Sequence, residues 1–422
     1  MSRKETTSHS HIHAGWVIDG STDSIQQNVI IHVNKGIIRT ITPAAQVRIS
    51  ETTLSDPEKS YLDLTAYTLL PLLVDCHVHL FMSGTPDIPA RKHQLDAGYD
   101  ELKHVIAAHI RQHLASGVGA VRDGGDRQSF SQRYRQEVSN ADAGSGSCPL
   151  AGYAERVALS GLCCKIAGKA WHHAGRYGKL ISRAPDTDET LAEAMRRESC
   201  LPGYVRPDHV KIVNSGVNSL LCFGKETLPQ FSYEEMSAAI RFIAQRGLKT
   251  MVHANGRAPV QIAVEAGCHS IEHGFFMGED NLARMRDHQT IWVPTAFTMR
   301  AYAATLPPSS REAATALRNL DHQRDQIRRA RDMGVRIALG TDAGSMGVHH
   351  GVAVKEELRI LMEAGFSLPE AIGCATRNGA DLLEIPEIGL LKPGMPAAWI
   401  AVKGSPSLLP DSLCDIQRWD AI

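Results

Sequence analysis

The sequence predicts an α/β fold: a (β/α)₈ barrel of the TIM type with a small β domain built from both chain ends. Three observations predict it. Eight apolar, strand-like segments recur through the middle of the chain, at 69–76, 118–123, 152–159, 208–213, 249–254, 268–272, 290–296 and 335–341. Helix-like segments alternate with them, at 94–116, 184–198, 232–246, 257–266, 278–287 and 309–333. The length of 422 residues accommodates one such barrel, typically about 250 residues, and a smaller unit beside it. Strands alternating with helices argue for a parallel sheet, and eight strands is the number that closes one into a barrel.

The ends read differently. WVIDG and VIIHVNKGIIRTI in residues 16–49 alternate apolar and polar positions around Asp19-Gly20 and Asn34-Lys35-Gly36 turns. Residues 61–74 add a further strand-like run, and the closing PEIGLLKPGMPAAWIAVKG has the same character. The fifteen leading residues are expected to be loose. Residues 141–148 and the Gly-, His- and Lys-rich stretch 160–180 read as loops, the second long enough to border an active site.

Composition excludes several classes. The formal net charge is −1, so no global attraction draws nucleic acid or an anionic membrane. No apolar run approaches the roughly 18 residues of a membrane helix, and MSRKETTSHSHIHAG lacks the apolar core of a signal peptide. Nine cysteines are scattered without CxxC pairs, which points to reduced thiols and a cytoplasmic setting. GxSxG, HExxH and GxxxxGK[ST] are absent, so serine hydrolase, zincin and nucleotide hydrolase readings lack support.

The chemistry-bearing residues stand at strand ends. VDCHVHL places His77 and His79 two apart, and residues i and i+2 of a strand share a face. Both imidazoles can then reach one metal at about 2.0–2.1 Å. The alternative is two strand histidines satisfied by core or solvent. VHANG and SIEHG end two consecutive strands with His253 and His273. IALGTDAG ends another with Asp342, which is costly to bury unless it is paired or metal-bound, and which could otherwise be a turn residue. DHVKIVNSG carries Lys211 within a strand. Facing inward beside cations, Lys211 would tend to the neutral amine and could react with carbon dioxide to a carbamate; facing outward, it is an ordinary surface lysine.

The ordered set HxH, Lys, His, His, Asp resembles the amidohydrolase superfamily, in its binuclear subtype with a carboxylated lysine, and most of all its prolidase-like and imidazolonepropionase-related members. GVGAVRDGGD, VKIVNSGV, AVEAGCHSIEHGFFM, LGTDAG and IGLLKPGMPAAWIAV match successive motifs across nearly the whole chain. The resemblance implies a β-sandwich domain from residues 1–66 and 387–422 around a catalytic barrel at 67–386. It implies two divalent metals, zinc by default. His77, His79 and Asp342 would hold the buried one and His253 and His273 the exposed one, with Lys211 as N6-carboxylysine bridging them.

It further implies hydrolysis of a C–N amide bond in a dipeptide or N-acyl amino acid by a metal-activated hydroxide, with Asp342 as general acid–base. The substrate is then a small molecule, and related enzymes often assemble as homo-oligomers. Loop candidates for substrate contact are Tyr153, Arg156, His172, His173, Arg176, Tyr177, Asn214, Ser215 and Asn218. Two departures from the family pattern stand out. No clear Gly-Gly-His equivalent occurs in SGLCCKIAGKAWHHAGRYG, and Ala397-Ala398 replaces the usual Ala-Asp. Other chemistries on the same scaffold are a cyclic-amide hydrolase, a lactonase or phosphotriesterase, and a deaminase. The deaminase lacks its HxxE glutamate here, since Gly256 occupies that position. A non-enzymatic barrel would be expected to have lost ligands.

Overall fold

A computed structural model describes residues 11–21, 23–47, 61–142, 158–159, 162–173, 182–186, 188–414 and 416–420. The first strands are β1 (His11–Val17), β2 (Gln26–Asn34), β3 (Ile37–Pro43) and β4 (Tyr61–Pro71). β1 therefore begins inside the segment expected to be loose. It is ordered because Ile12 and Ala14 are buried, with β2 paired on one side and β4 on the other.

Through the middle run β5 (Leu73–Val78), β6 (Val118–Asp123), β7 (Ala158–Leu159), β8 (Leu162–Ile166), β9 (Ala170–Trp171) and β10 (Ser182–Arg183). They are followed by β11 (His209–Val213), β12 (Lys249–Ala254), β13 (Ser270–His273) and β14 (Ile291–Val293). The chain closes with β15 (Ala398–Lys403) and β16 (Ile416–Asp420). The result is an α/β fold.

Strands from the two ends join in one six-stranded sheet of order β16-β15-β4-β1-β2-β3. Ile12, Val29, Ile31, Leu64, Leu69 and Trp399 pack there as a core of their own.

Apart from β7, the central strands pair in parallel. β6 lies between β5 and β8, β11 between β9 and β12, and β13 between β12 and β14. Gly168, at φ +69°, sits between β8 and β9, where a left-handed residue lets one stretch meet β6 with its first half and β11 with its second. The expected strand at 335–341 forms no extended strand, only bridges at Ile337 and Ala343. Its backbone is nonetheless tied to both neighbours. Leu339 O accepts from Cys76 N (2.9 Å) and His77 O from Asp342 N (2.7 Å), while Trp292 O accepts from Ala338 N (2.9 Å).

Three further expectations are corrected. β8 falls inside the stretch read as a loop, because Leu162, Cys164 and Ile166 form a short fully buried run that the surrounding polar residues disguised. Of the strand expected at 152–159 only β7 lies among the described residues, and it pairs antiparallel with β8. The helix expected at 94–116 is two helices, Ile88–Asp96 and Tyr99–Ala115, broken where Ala97 turns extended at ψ 152°. Helices at Ser232 and Ser367 start on capping boxes with Glu235 and Glu370, which satisfy otherwise orphaned backbone donors. No described helix is long and apolar enough to cross a membrane. None of the eight described cysteines forms a disulfide.

Candidate metal centre

β5 is buried along its whole length and delivers His77 and, one step past its end, His79. Their Nε2 atoms lie 3.6 and 3.5 Å from Asp342 Oδ1. Asp342 holds a left-handed φ of +59°, a costly conformation for a non-glycine residue and one that recurs at functional sites. One ligand atom from each of the three lies within 4.8 Å of the others. Lys211, in the middle of β11, is 1% exposed and faces inward, with Nζ 3.2 Å from His77 Nε2. His253 and His273 end the next two strands, with ring centroids 4.5 Å apart, and His273 is 4.9 Å from His77 by the same measure. All six residues line one cavity of about 580 Å³.

Burial sets the protonation states. It pushes His79 down to about 3 and His253 to about 4, and holds His77 and His273 well below the ordinary imidazole range. Neutral imidazoles keep the lone pair that a metal needs. Hydrogen bonds choose which nitrogen offers it. His77 Nδ1 donates to Glu272 Oε2 (2.8 Å), His79 Nδ1 to Gly125 O (3.3 Å), and His273 Nδ1 bonds Thr295 Oγ1 (2.7 Å). Each arrangement leaves Nε2 for coordination. His253 differs: its Nε2 donates to Gly216 O (3.1 Å), so Nδ1 carries the lone pair. Burial lowers Lys211 to about 8 and raises Asp342 to about 6. Neutral imidazoles, a carboxylate and an amine near its neutral form are a nitrogen-and-oxygen donor set that fits divalent cations such as zinc.

Behind these six residues lies a layer that strand patterns did not reveal. Glu272 accepts from His77, from Arg122 Nη2 (2.7 Å) and from Ser270 Oγ, and Arg122 also donates to Cys76 O (2.8 Å). Asp75 accepts from Thr341 N (2.9 Å) and Oγ1 (2.6 Å), tying β5 to the segment that carries Asp342. Asp123 accepts from Leu80 N (2.8 Å) just beyond His79. The available signal was a charged residue inside each apolar strand: Asp75, Arg122 and Glu272. Gly124 has a different reason, since a Cβ there would stand 2.8 Å from the His79 ring.

Of the nine substrate-contact candidates, Asn218 lines the cavity. Asn214 bonds Pro259 O and Phe231 N, and Ser215 Oγ accepts from Asn255 N, so both brace loops away from the cavity wall. His172 is buried against Ser182, and His173 packs on Phe231. Tyr153, Arg156, Arg176 and Tyr177 lie outside the described residues. The wall instead includes Met82, Arg91, Leu95, Phe275, Met299 and Tyr302, none of which the sequence singled out.

Residues 68–420 match the amidohydrolase family, and the chain belongs to it. It is similar to ochratoxinase of Aspergillus niger, 25% identical over 94% of this chain and 81% of that enzyme. It is 28% identical to an uncharacterised protein of Mycobacterium tuberculosis, over 47% of this chain; the match spans 55% of that relative, about half its length. Among solved structures it superposes on a Xaa-Pro dipeptidase with bound methionine in its active site. That pair has a TM-score of 0.75 and 26% identity, over 97% of this chain and 98% of that one.

Proposed function

We propose that this protein is a metal-dependent amidohydrolase that cleaves the C–N amide bond of a dipeptide or N-acyl amino acid. The observation that carries the reading is the convergence of His77, His79 and Asp342 within 4.8 Å, beside an inward Lys211. The scaffold is read as a closed (β/α)₈ barrel at 67–386, with a β-sandwich domain formed by 1–66 and 387–422. Two runs of parallel pairing, β5-β6-β8 and β9-β11-β12-β13-β14, joined by the chain through Gly168, and the bonds of residues 336–343 to β5 and β14 support it. Two relatives named for hydrolysis, the dipeptidase and ochratoxinase, support the reaction class. The described cysteines, none of which forms a disulfide, fit a cytoplasmic setting.

His77, His79 and Asp342 would hold one cation and His253 and His273 a second, with Lys211 as a carbamate between them. Bound divalent metal, zinc by default, supplies Lewis acidity that lowers the pKa of water and polarises a carbonyl. Asp342 would accept the attacking water's proton and return it to the departing nitrogen. The neutral Lys211 amine is the form that captures carbon dioxide. Ser345 Oγ donates to Asp342 Oδ2 (2.9 Å) and keeps the carboxylate aimed.

The test is a panel of dipeptides and N-acyl amino acids offered to zinc-loaded protein, read by amine release. Turnover of members of the panel is expected. Turnover of none, with metal bound, overturns the substrate class.

A further inference from the structure

The cavity wall carries one positive charge that the metal centre does not use. Arg91 stands on the helix Ile88–Asp96, which follows the strand of His77 and His79. Its Nη1 donates to Ser83 O (2.7 Å) and Thr85 O (3.5 Å), so the loop holds one edge of the guanidinium. Nε and Nη2 make no bond to protein among the described residues. Other arginines, such as Arg197 and Arg324, are matched with carboxylates on the surface. A partly buried guanidinium with two donors unused, facing a cavity, is built to receive an anion, because its planar fork matches a carboxylate.

Arg91 also lies on a particular side of the cavity. Asp342 Oδ2 accepts from Ser345, Tyr302 bonds Ser345 in turn, and Arg91 lines the same cavity within electrostatic reach of both Tyr302 and Asp342. Asp342 is the group that meets the departing nitrogen. In an α-amino acid the carboxylate carbon is two bonds from that nitrogen. Leu95, one helical turn beyond Arg91, and Met82 and Met299 give the same region an apolar floor.

We propose that Arg91 anchors the free carboxylate of the amino acid that leaves, so that the enzyme acts on amides whose amine half is an α-amino acid with a free C-terminus and an apolar side chain. This rests on the reaction proposed above. It makes the enzyme an exo-acting one: the corresponding carboxamides, esters and internal peptide bonds present no anion to Arg91 and are poor substrates.

The experiment pairs N-acetyl-L-methionine with N-acetyl-L-methioninamide as substrates, and L-methionine with L-methioninamide as ligands in calorimetry, on zinc-loaded protein. Wild type is expected to prefer the carboxylate in both assays. In Arg91→Gln the ratio of kcat/KM, carboxylate over amide, falls on the order of 10- to 100-fold, the range for losing a charge-assisted hydrogen bond. Arg91→Lys keeps the charge without the fork, and its ratio lies between the two. Equal carboxylate preference in wild type and Arg91→Gln overturns the assignment, as does wild type that binds neither methionine nor its amide. Absent turnover with a carboxylate preference in binding that Arg91→Gln abolishes upholds Arg91 and overturns the hydrolysis.

Discussion

His77 Nδ1 donates to Glu272 Oε2 across 2.8 Å in a place neither residue shares with solvent. The other Glu272 oxygen takes Arg122 Nη2 at 2.7 Å. One carboxylate thus neutralises a buried guanidinium and sets the tautomer of the His77 imidazole.

Replacing that carboxylate separates its two tasks. In Glu272→Gln an amide N–H can face His77 Nδ1, which favours the tautomer with its proton on Nε2 and blocks coordination. Zinc affinity, measured by competition with a chromogenic chelator, should fall by about 10- to 100-fold. Glu272→Ala leaves Arg122 buried without a counter-charge and should cost on the order of 3–5 kcal/mol in denaturant unfolding.

In the proposed mechanism Asp342 would be both a metal ligand and the proton carrier. Asp342→Asn should lower kcat by about 10²–10⁴, the scale of positioned proton transfer. The asparagine carbonyl can still accept from Ser345, so the thermal midpoint should move less than in Glu272→Ala. Wild-type turnover in this variant removes Asp342 from the proton path.

Lys211 is buried, and its amine is lowered to about 8. Isotopically labelled bicarbonate supplied during metal loading should give a carbamate carbonyl resonance in the wild type and none in Lys211→Met. The variant should also retain less metal. Identical spectra would mean that the amine stays unmodified.

Glu357 supplies a pH signature from outside the candidate ligand set. Its carboxyl accepts from Ala296 N (2.8 Å) and Phe297 N (2.7 Å) at the start of the helix Phe297–Thr305, which carries Met299 and Tyr302. Burial raises it from 4.5 to about 8. The folded state therefore holds the proton more tightly than the unfolded one, and stability is lost as pH rises from 4.5 towards 8. Glu357→Gln removes that titration, so its thermal midpoint should gain on wild type across the same window. A constant difference between the two proteins would contradict the raised value.

The candidate positions His77, His253 and His273 were legible because they stand at or next to the ends of short apolar strands. The strand expected at 118–123 is β6, and that at 249–254 is β12. What stayed hidden depends on distant partners. Glu272 reads as an ordinary glutamate until Arg122 and His77 arrive from 150 and 195 residues away. Arg91 sits in an unremarkable polar stretch, PARKHQ, and only the turn of the chain after β5 brings it to the cavity. Residues 162–166 were missed because five residues are too short a run for periodicity to mark against glycine-rich flanks.

The most direct measurement is anomalous scattering at the zinc edge from crystals of zinc-loaded protein. Two peaks are expected: one among His77, His79 and Asp342, the other at His253 and His273, with density for a carboxylated Lys211 between them. Zinc elsewhere, or Lys211 and the four histidines left without metal, would contradict the account.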